Sequence, residues 1–384
     1  KRVASNVTTM DHAASPAAWG FFVLGVALPW LDRSWHRRAW SSTPDAWSGP
    51  SGAALAWWGA GSLAVAVAWA GDTCMAWRPI DGLHEGGHLL VVQNALAGDV
   101  PGRDVRIQYG PLYAHSLVWW MRSFGLTMSC ARGYFFAAQI AGTALHLLVL
   151  RCWCRSWLPL LTGAALMLAL STAPNIQFGW ANALRTALPL ASLALCAAAA
   201  ARKRPVPAAG AGAVAAAALL YSQEFGGAGI LACAVVLAGA AFSDVRAAAR
   251  AWGAFVLTLA GTGCVALLIL FGSPSAWLRA GSGGGYVLAR LLGHGVLPLP
   301  EFPWWAGLEG LLAARVRLVN VVALWAPGLA AGAVAAWMAA RGRAAAAGRG
   351  PLLCGLALFT LLAQLPAVAR PTWQISACLP AAIA

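Results

Sequence analysis

The sequence predicts an all-α fold, a polytopic transmembrane helical bundle of about ten to eleven spans with a large extracytoplasmic first loop. Three observations lead there. The 384 residues are 60% hydrophobic and only 10% charged, with mean hydropathy +0.69, which excludes a water-soluble globular domain. Apolar runs recur along the chain, most of them near the length of about 20 residues that crosses a bilayer core. The arginines and lysines collect in alternate short connections, which is the pattern that orients spans.

Taken in order, the spans fall at 16–31, 52–71, 133–150, 157–172, 183–201, 208–222, 226–243, 252–272, 318–340 and 351–369. They form one transmembrane domain over 1–384. The run 16–31 lacks a small-residue cleavage site after it and reads as a span rather than a signal peptide. A further apolar stretch from Trp373 to Ala384 is too short to cross, so the chain is expected to be a fragment of a longer protein. The alanine-rich stretches 196–201 and 208–218 suit helices in tight contact.

Five basic groups set the orientation: Arg33, Arg37 and Arg38; Arg151 and Arg155; Arg202, Lys203 and Arg204; Arg246 and Arg250; Arg341, Arg343 and Arg349. All five can be cytoplasmic at once, which predicts a multi-pass protein of the cell (inner) membrane. The net charge of +14 therefore reads as topology, with no nucleic-acid partner, because the arginines are spread through loops and not gathered on one face. The other side receives 72–132, 173–182, 222–226, 273–317 and Arg370, and with them eight of the twelve acids. The functional face is thus expected to be extracytoplasmic.

Within 72–132, Leu89, Val92 and Leu96 have the spacing of a short interfacial helix that Gly98 would stop. Residues 112–124, with Trp119 and Trp120, suit a second interfacial helix or a half-span. In 273–317, Gly281 to Gly285 is a flexible turn and Pro298 to Trp305 a stiff aromatic stretch. The nine cysteines show neither a disulfide framework nor a CxxC pair, although Cys74 and Cys130 share the outer segment and are placed to pair there.

The chemistry concentrates at 81–111, DGLHEGGHLLVVQNALAGDVPGRDVRIQYGP. His84-Glu85-Gly86-Gly87-His88 fits H-E-x-x-H, in which His84 and His88 would bind zinc and Glu85 would activate water. Two adjacent glycines weaken the helix that such a site needs. The only Asp-Gly, Asp81-Gly82, lies upstream, where it cannot supply the third ligand of an intramembrane zinc protease. His88, His115 and His294 otherwise read as loop or interface residues.

Asp81-Gly-x-His84-Glu85-Gly86, then Leu96 to Val105 and Gln108-Tyr109-Gly110-Pro111, resembles the first large outer loop of bacterial integral-membrane glycosyltransferases of the GT-C superfamily. The resemblance covers about 35 residues in matching order. It implies inverting transfer of a sugar from a polyprenyl-phosphate donor to a glycan, lipid or protein acceptor at the outer membrane face. An acceptor hydroxyl needs a carboxylate to take its proton, for which Asp81 is the first choice and Glu85 the second, with His84 orienting one of them or the substrate. If a helix opens after Ile80, Asp81 and Glu85 share a face and can share a divalent cation, Mg or Mn. The lipid phosphate calls for arginine, with Arg103, Arg106, Arg185 and Arg370 as candidates. Arg103 and Asp104 equally suit a mutual ion pair that shapes the loop. Gln108 and Tyr109 join the substrate-binding set, and Glu224, before a glycine pair at the outer end of a span, reads as a cavity residue. Arg370 keeps the arginine of a late-span signature but lacks its acid or histidine. A flippase of lipid-linked sugar is the other alternative and predicts charges near the bilayer midplane.

Overall fold

The computed structural model describes residues 52–72, 84–105, 107, 109–153, 160, 161, 164, 183–241, 244–273, 332, 333 and 349–368. The helices there are α1 (Gly52–Asp72), α2 (His84–Leu96), α3 (Pro111–Phe124), α4 (Met128–Trp153), α5 (Leu184–Arg202), α6 (Pro205–Tyr221), α7 (Gln223–Ala241), α8 (Val245–Phe271) and α9 (Arg349–Val368). No strand occurs among the described residues, so the architecture is all-helical. Four helices, α4, α5, α7 and α8, are long and apolar enough to cross a membrane. The expected span 16–31, nearly all of 157–172 and 318–340, the segment 274–317 and the run after 370 lie outside the described residues.

Local chemistry sets the helix ends. Pro205 opens α6 in its first turn, where a missing N–H costs nothing. The Asp244 carboxylate accepts the Ala247 N–H at 3.0 Å and caps α8. Lys203 sits in the left-handed region with φ 53° and turns the chain from α5 into α6.

The core lies between α5, α6, α7, α8 and α9 and is built from small side chains with a few large ones, among them Leu193, Leu237, Phe255, Leu356 and Phe359. Between helices in lipid there is no hydrophobic driving force, so close packing has to hold them. Glycines provide it. A Cβ at Gly212 would run into Thr258 and the Phe255 carbonyl on α8, and one at Gly142 would run into the Ala183–Leu184 backbone at the start of α5. Gly226 meets the backbone of Ala218 and Leu219, and Gly229 faces Pro189. Hydroxyls add cross-helix bonds, Thr258 Oγ1 donating to the Ala209 carbonyl at 2.8 Å and Ser192 Oγ to that of Ala211 at 2.9 Å.

Helix α4 runs in the same direction as α5, since Gly142 and His146 meet Ala183 and Thr186; α6, α7 and α8 then alternate, and α9 starts beside the end of α7 with Pro351 against Gly239. One end of the bundle therefore carries the close of α4 and α5, the 203–204 turn, the end of α7 and Asp244 at the start of α8, tied by a Lys203–Asp244 ion pair at 3.4 Å. The other end carries α2, α3, the loop between them, the start of α5, the α6–α7 turn and the end of α8.

Candidate functional site

Helix α2 runs unbroken through Gly86 and Gly87. Its inner stripe is His88, Val92 and Ala95, all buried. The expected stripe of Leu89, Val92 and Leu96 is thus rotated by one position. Leu89 is half-buried and Leu96 exposed, because the aromatic side chains of α3 and α4 take up His88 instead. Gly98 ends the helix at φ +112°, as expected, and the Ala95 carbonyl accepts both the Gly98 N–H at 3.4 Å and Arg122 of α3 at 3.1 Å.

The loop that follows is a small hydrogen-bonded knot. Asp104 accepts Arg103 on both carboxylate oxygens, at 2.9 and 2.7 Å, and accepts the Val100 N–H at 2.9 Å. The Arg103 hydrogen bond, followed by that of Val100, holds the Asp104 carboxyl down at about 2. The Gly102 N–H donates to the Val105 carbonyl at 2.8 Å, and its φ of +84° is one that a side chain would strain. His115, on α3, bonds the Pro101 carbonyl through Nε2 at 3.2 Å and packs edge-on to Phe271 at the end of α8. Burial lowers the His115 pKa. Arg103 and Asp104 are both exposed and bound to each other, which is the loop-shaping pair that the sequence suggests.

At its far end the loop meets the membrane helices. The Arg185 guanidinium lies 4.2 Å from the centre of the Tyr109 ring and 4.9 Å from that of Phe225. It donates through Nη2 to Glu224 Oε2 at 2.7 Å and through Nε to Ser222 Oγ at 3.2 Å. Only 6% of the Arg185 side chain and 11% of the Glu224 side chain are exposed, so this is a desolvated charge pair that hydrogen bonds complete. Beside it, Gly110 donates to the Tyr221 carbonyl at 3.2 Å and lies so close to Leu220 that no Cβ would fit.

Four of the five tyrosines in the chain converge here. Tyr113 stands edge-on to Tyr109, Tyr221 and Tyr134, with centroids 5.1, 5.5 and 6.1 Å away. Ser116 Oγ donates to the Tyr113 carbonyl at 3.0 Å and so accepts the Tyr134 hydroxyl, 2.6 Å away. The Tyr113 hydroxyl is buried without a hydrogen-bond partner among the described residues, and burial raises its pKa. His88 packs against Tyr109, Tyr113 and Phe135 at 5.5 to 6.1 Å. His88 and His115 are therefore buried helix residues, not loop or interface residues, because α2 and α3 turn them toward aromatic neighbours.

Of the residues that the sequence singles out, the structure brings together Tyr109, Arg185, Glu224 and His88, and sets Arg103 with Asp104 apart at the loop tip. Asp81, Arg106, Gln108 and Arg370 lie outside the described residues, as do the side chains of His84 and Glu85. Cys130 is a free thiol, and Cys74 lies outside the described residues. Among the described residues no group of three or more His, Cys, Asp or Glu could hold a metal ion. Compared with protein-family models, curated proteins and solved structures, the chain finds no match. Sequence reasoning missed Tyr113, Tyr134, Tyr221, Ser116 and Ser222. The one available signal was the scarcity of tyrosine, with 5 against 21 tryptophans, and the closeness of three of the five to the two motif stretches.

Proposed function

We propose that the chain is an integral-membrane glycosyltransferase of GT-C type, moving a sugar with inversion from a polyprenyl-phosphate donor to a glycan, lipid or protein acceptor on the extracytoplasmic face of the inner membrane. One observation carries this reading: Tyr109 and Gly110 fasten the motif-bearing loop to the ends of α5, α6 and α7 that hold Arg185 and Glu224. Acids and cations far apart in sequence thereby meet at one mouth of the membrane helices, where a lipid-borne phosphate would arrive.

In this reading Asp81, with Glu85 as second choice, takes the proton of the acceptor hydroxyl, and His84 orients the pair. Two of the five guanidinium donors of Arg185 are engaged by Glu224 and Ser222, and the others serve the lipid phosphate. Arg103 and Arg370 are further cations for that group, and Gln108 and Tyr109 border the sugar. Asp81 and Glu85 are the carboxylates that would hold a Mg or Mn ion. The zinc-protease alternative requires His88 to face a metal, and its ring is instead enclosed by three aromatic side chains.

The test is transfer of labelled sugar from a panel of polyprenyl-phosphate sugars by purified protein, with metal content measured alongside. Because His88 is buried, the control is His88→Phe, which keeps the aromatic packing. Asp81→Asn should lower transfer by about 10²- to 10⁴-fold. His88→Phe should retain transfer, without stoichiometric zinc in the wild type. One equivalent of zinc that is lost in His88→Phe, with no sugar transfer by the wild type, would replace this reading with a membrane metalloprotease.

A further inference from the structure

We propose that the end of the bundle opposite the motif loop binds the phosphodiester headgroups of anionic phospholipids. At that end the α5–α6 and α7–α8 turns lie side by side, joined by Lys203 and Asp244. They expose Arg202, Lys203, Arg204, Arg246 and Arg250. The one acid among them, Asp244, is already occupied in capping Ala247 and pairing with Lys203. Four exposed guanidiniums are thus left beside one neutralised ion pair. Arg246 and Arg250 stand one helical turn apart on α8, so a single phosphate can reach both.

What surrounds these cations decides the ligand. Val206 and Val245, next to the two turns, are 76% and 69% exposed, and Leu257 farther along α8 is 73% exposed. Arg250 and Leu257 are separated by about 10 Å along the helix axis. A phospholipid passes from phosphate to acyl chain over a comparable depth of about 5–8 Å, half the difference between a whole bilayer and its core. A soluble polyanion would match the cations and leave the adjoining apolar side chains in water. This inference rests on α4, α5, α7 and α8 crossing a membrane, and stands independently of the glycosyltransferase reading.

The experiment places the full chain in nanodiscs of phosphatidylcholine with increasing phosphatidylglycerol, and counts bound lipid by native mass spectrometry while following thermal unfolding. Phosphatidylglycerol should be retained over phosphatidylcholine, and each arginine removed should weaken that preference about fivefold. The triple variant Arg204→Gln/Arg246→Gln/Arg250→Gln should then lose about 100-fold, whereas Arg122→Gln at the opposite end should lose nothing. High salt should weaken the preference in the wild type, which gives a readout that needs no variant. Equal retention of the two lipids, or an unchanged preference in a folded triple variant, would overturn the proposal. So would equal stabilisation by inorganic phosphate or a short RNA.

Discussion

Replacing Glu224 with alanine removes the one carboxylate paired with Arg185 among the described residues and leaves a guanidinium that is 6% exposed. The N–O separation is 2.7 Å. At an effective dielectric constant of about 20, the attraction at that distance is about 6 kcal/mol. Desolvation of both ions offsets most of this in the intact protein, but deleting one partner costs about 3–5 kcal/mol because the other stays buried. The rings of Tyr109 and Phe225 and the Ser222 hydroxyl still stabilise the cation, which places the loss near about 3 kcal/mol. With an unfolding entropy of about 2 cal/mol/K per residue, that loss lowers the midpoint by about 4 °C. The 21 tryptophans provide the signal for a thermal melt in detergent. The double variant Arg185→Met/Glu224→Leu should melt above Glu224→Ala, since it leaves no unpaired charge. If Glu224→Ala lies within about 1 °C of wild type, or the double variant is no better than the single one, the pair is not desolvated and the reasoning fails.

Three further outcomes are expected. Gly110→Ala forces a methyl into the Leu220 backbone and should destabilise by about 1–3 kcal/mol, read by the same melt, while Gly227→Ala, where a Cβ meets nothing, should not. Burial lowers the His115 pKa from its ordinary 6.5, so its contribution is full above that pH and is lost as the pH falls below it. Limited proteolysis at 97–105 should therefore quicken between pH 7 and 5, and His115→Gln, which keeps a donor for Pro101, should flatten that dependence. The Asp104 carboxyl is held at about 2 against an ordinary 3.8, so its hold on the loop is full above 3.8 and is lost as the pH falls toward 2. Asp104→Asn should make the loop more labile and remove the change in lability below pH 3.8, leaving the His115 dependence and the global midpoint nearly unchanged.

Periodicity and hydropathy locate the apolar helices among the described residues but misjudge their ends. The expected span 252–272 corresponds to α8 beginning at Val245, because the Asp244 cap continues the helix through arginines that a hydropathy window rejects. The span expected at 133–150 is longer at both ends in α4 for the same reason. Gly98 and the Gly110-Pro111 junction were legible because turn residues carry their own backbone preference. The site was legible only one residue at a time. Arg185 and Glu224 each stand out as charges at span ends, but their pairing depends on how α5, α6 and α7 fold back on one another, and no local pattern encodes that. His88 was conspicuous through its spacing from His84, and its aromatic surroundings come from α3 and α4.

The glycine contacts that join α4 to α9 have a mechanical corollary. Where Gly142, Gly212 and Gly226 bring helix backbones together, no acyl chain can wedge between them, and sliding one helix past its neighbour means climbing over main-chain atoms. The central helices thus behave as a solid pier. The mouth is built differently, since α2, α3 and their loop rest on it largely through side chains such as Tyr109, His115 and Arg122. Gly110, pressed against Leu220, is a point where that rim touches the pier main chain to main chain. Side-chain contacts can re-form in another rotamer and main-chain contacts cannot, so the give at this end of the molecule belongs to the rim and the pier supplies the fixed footing.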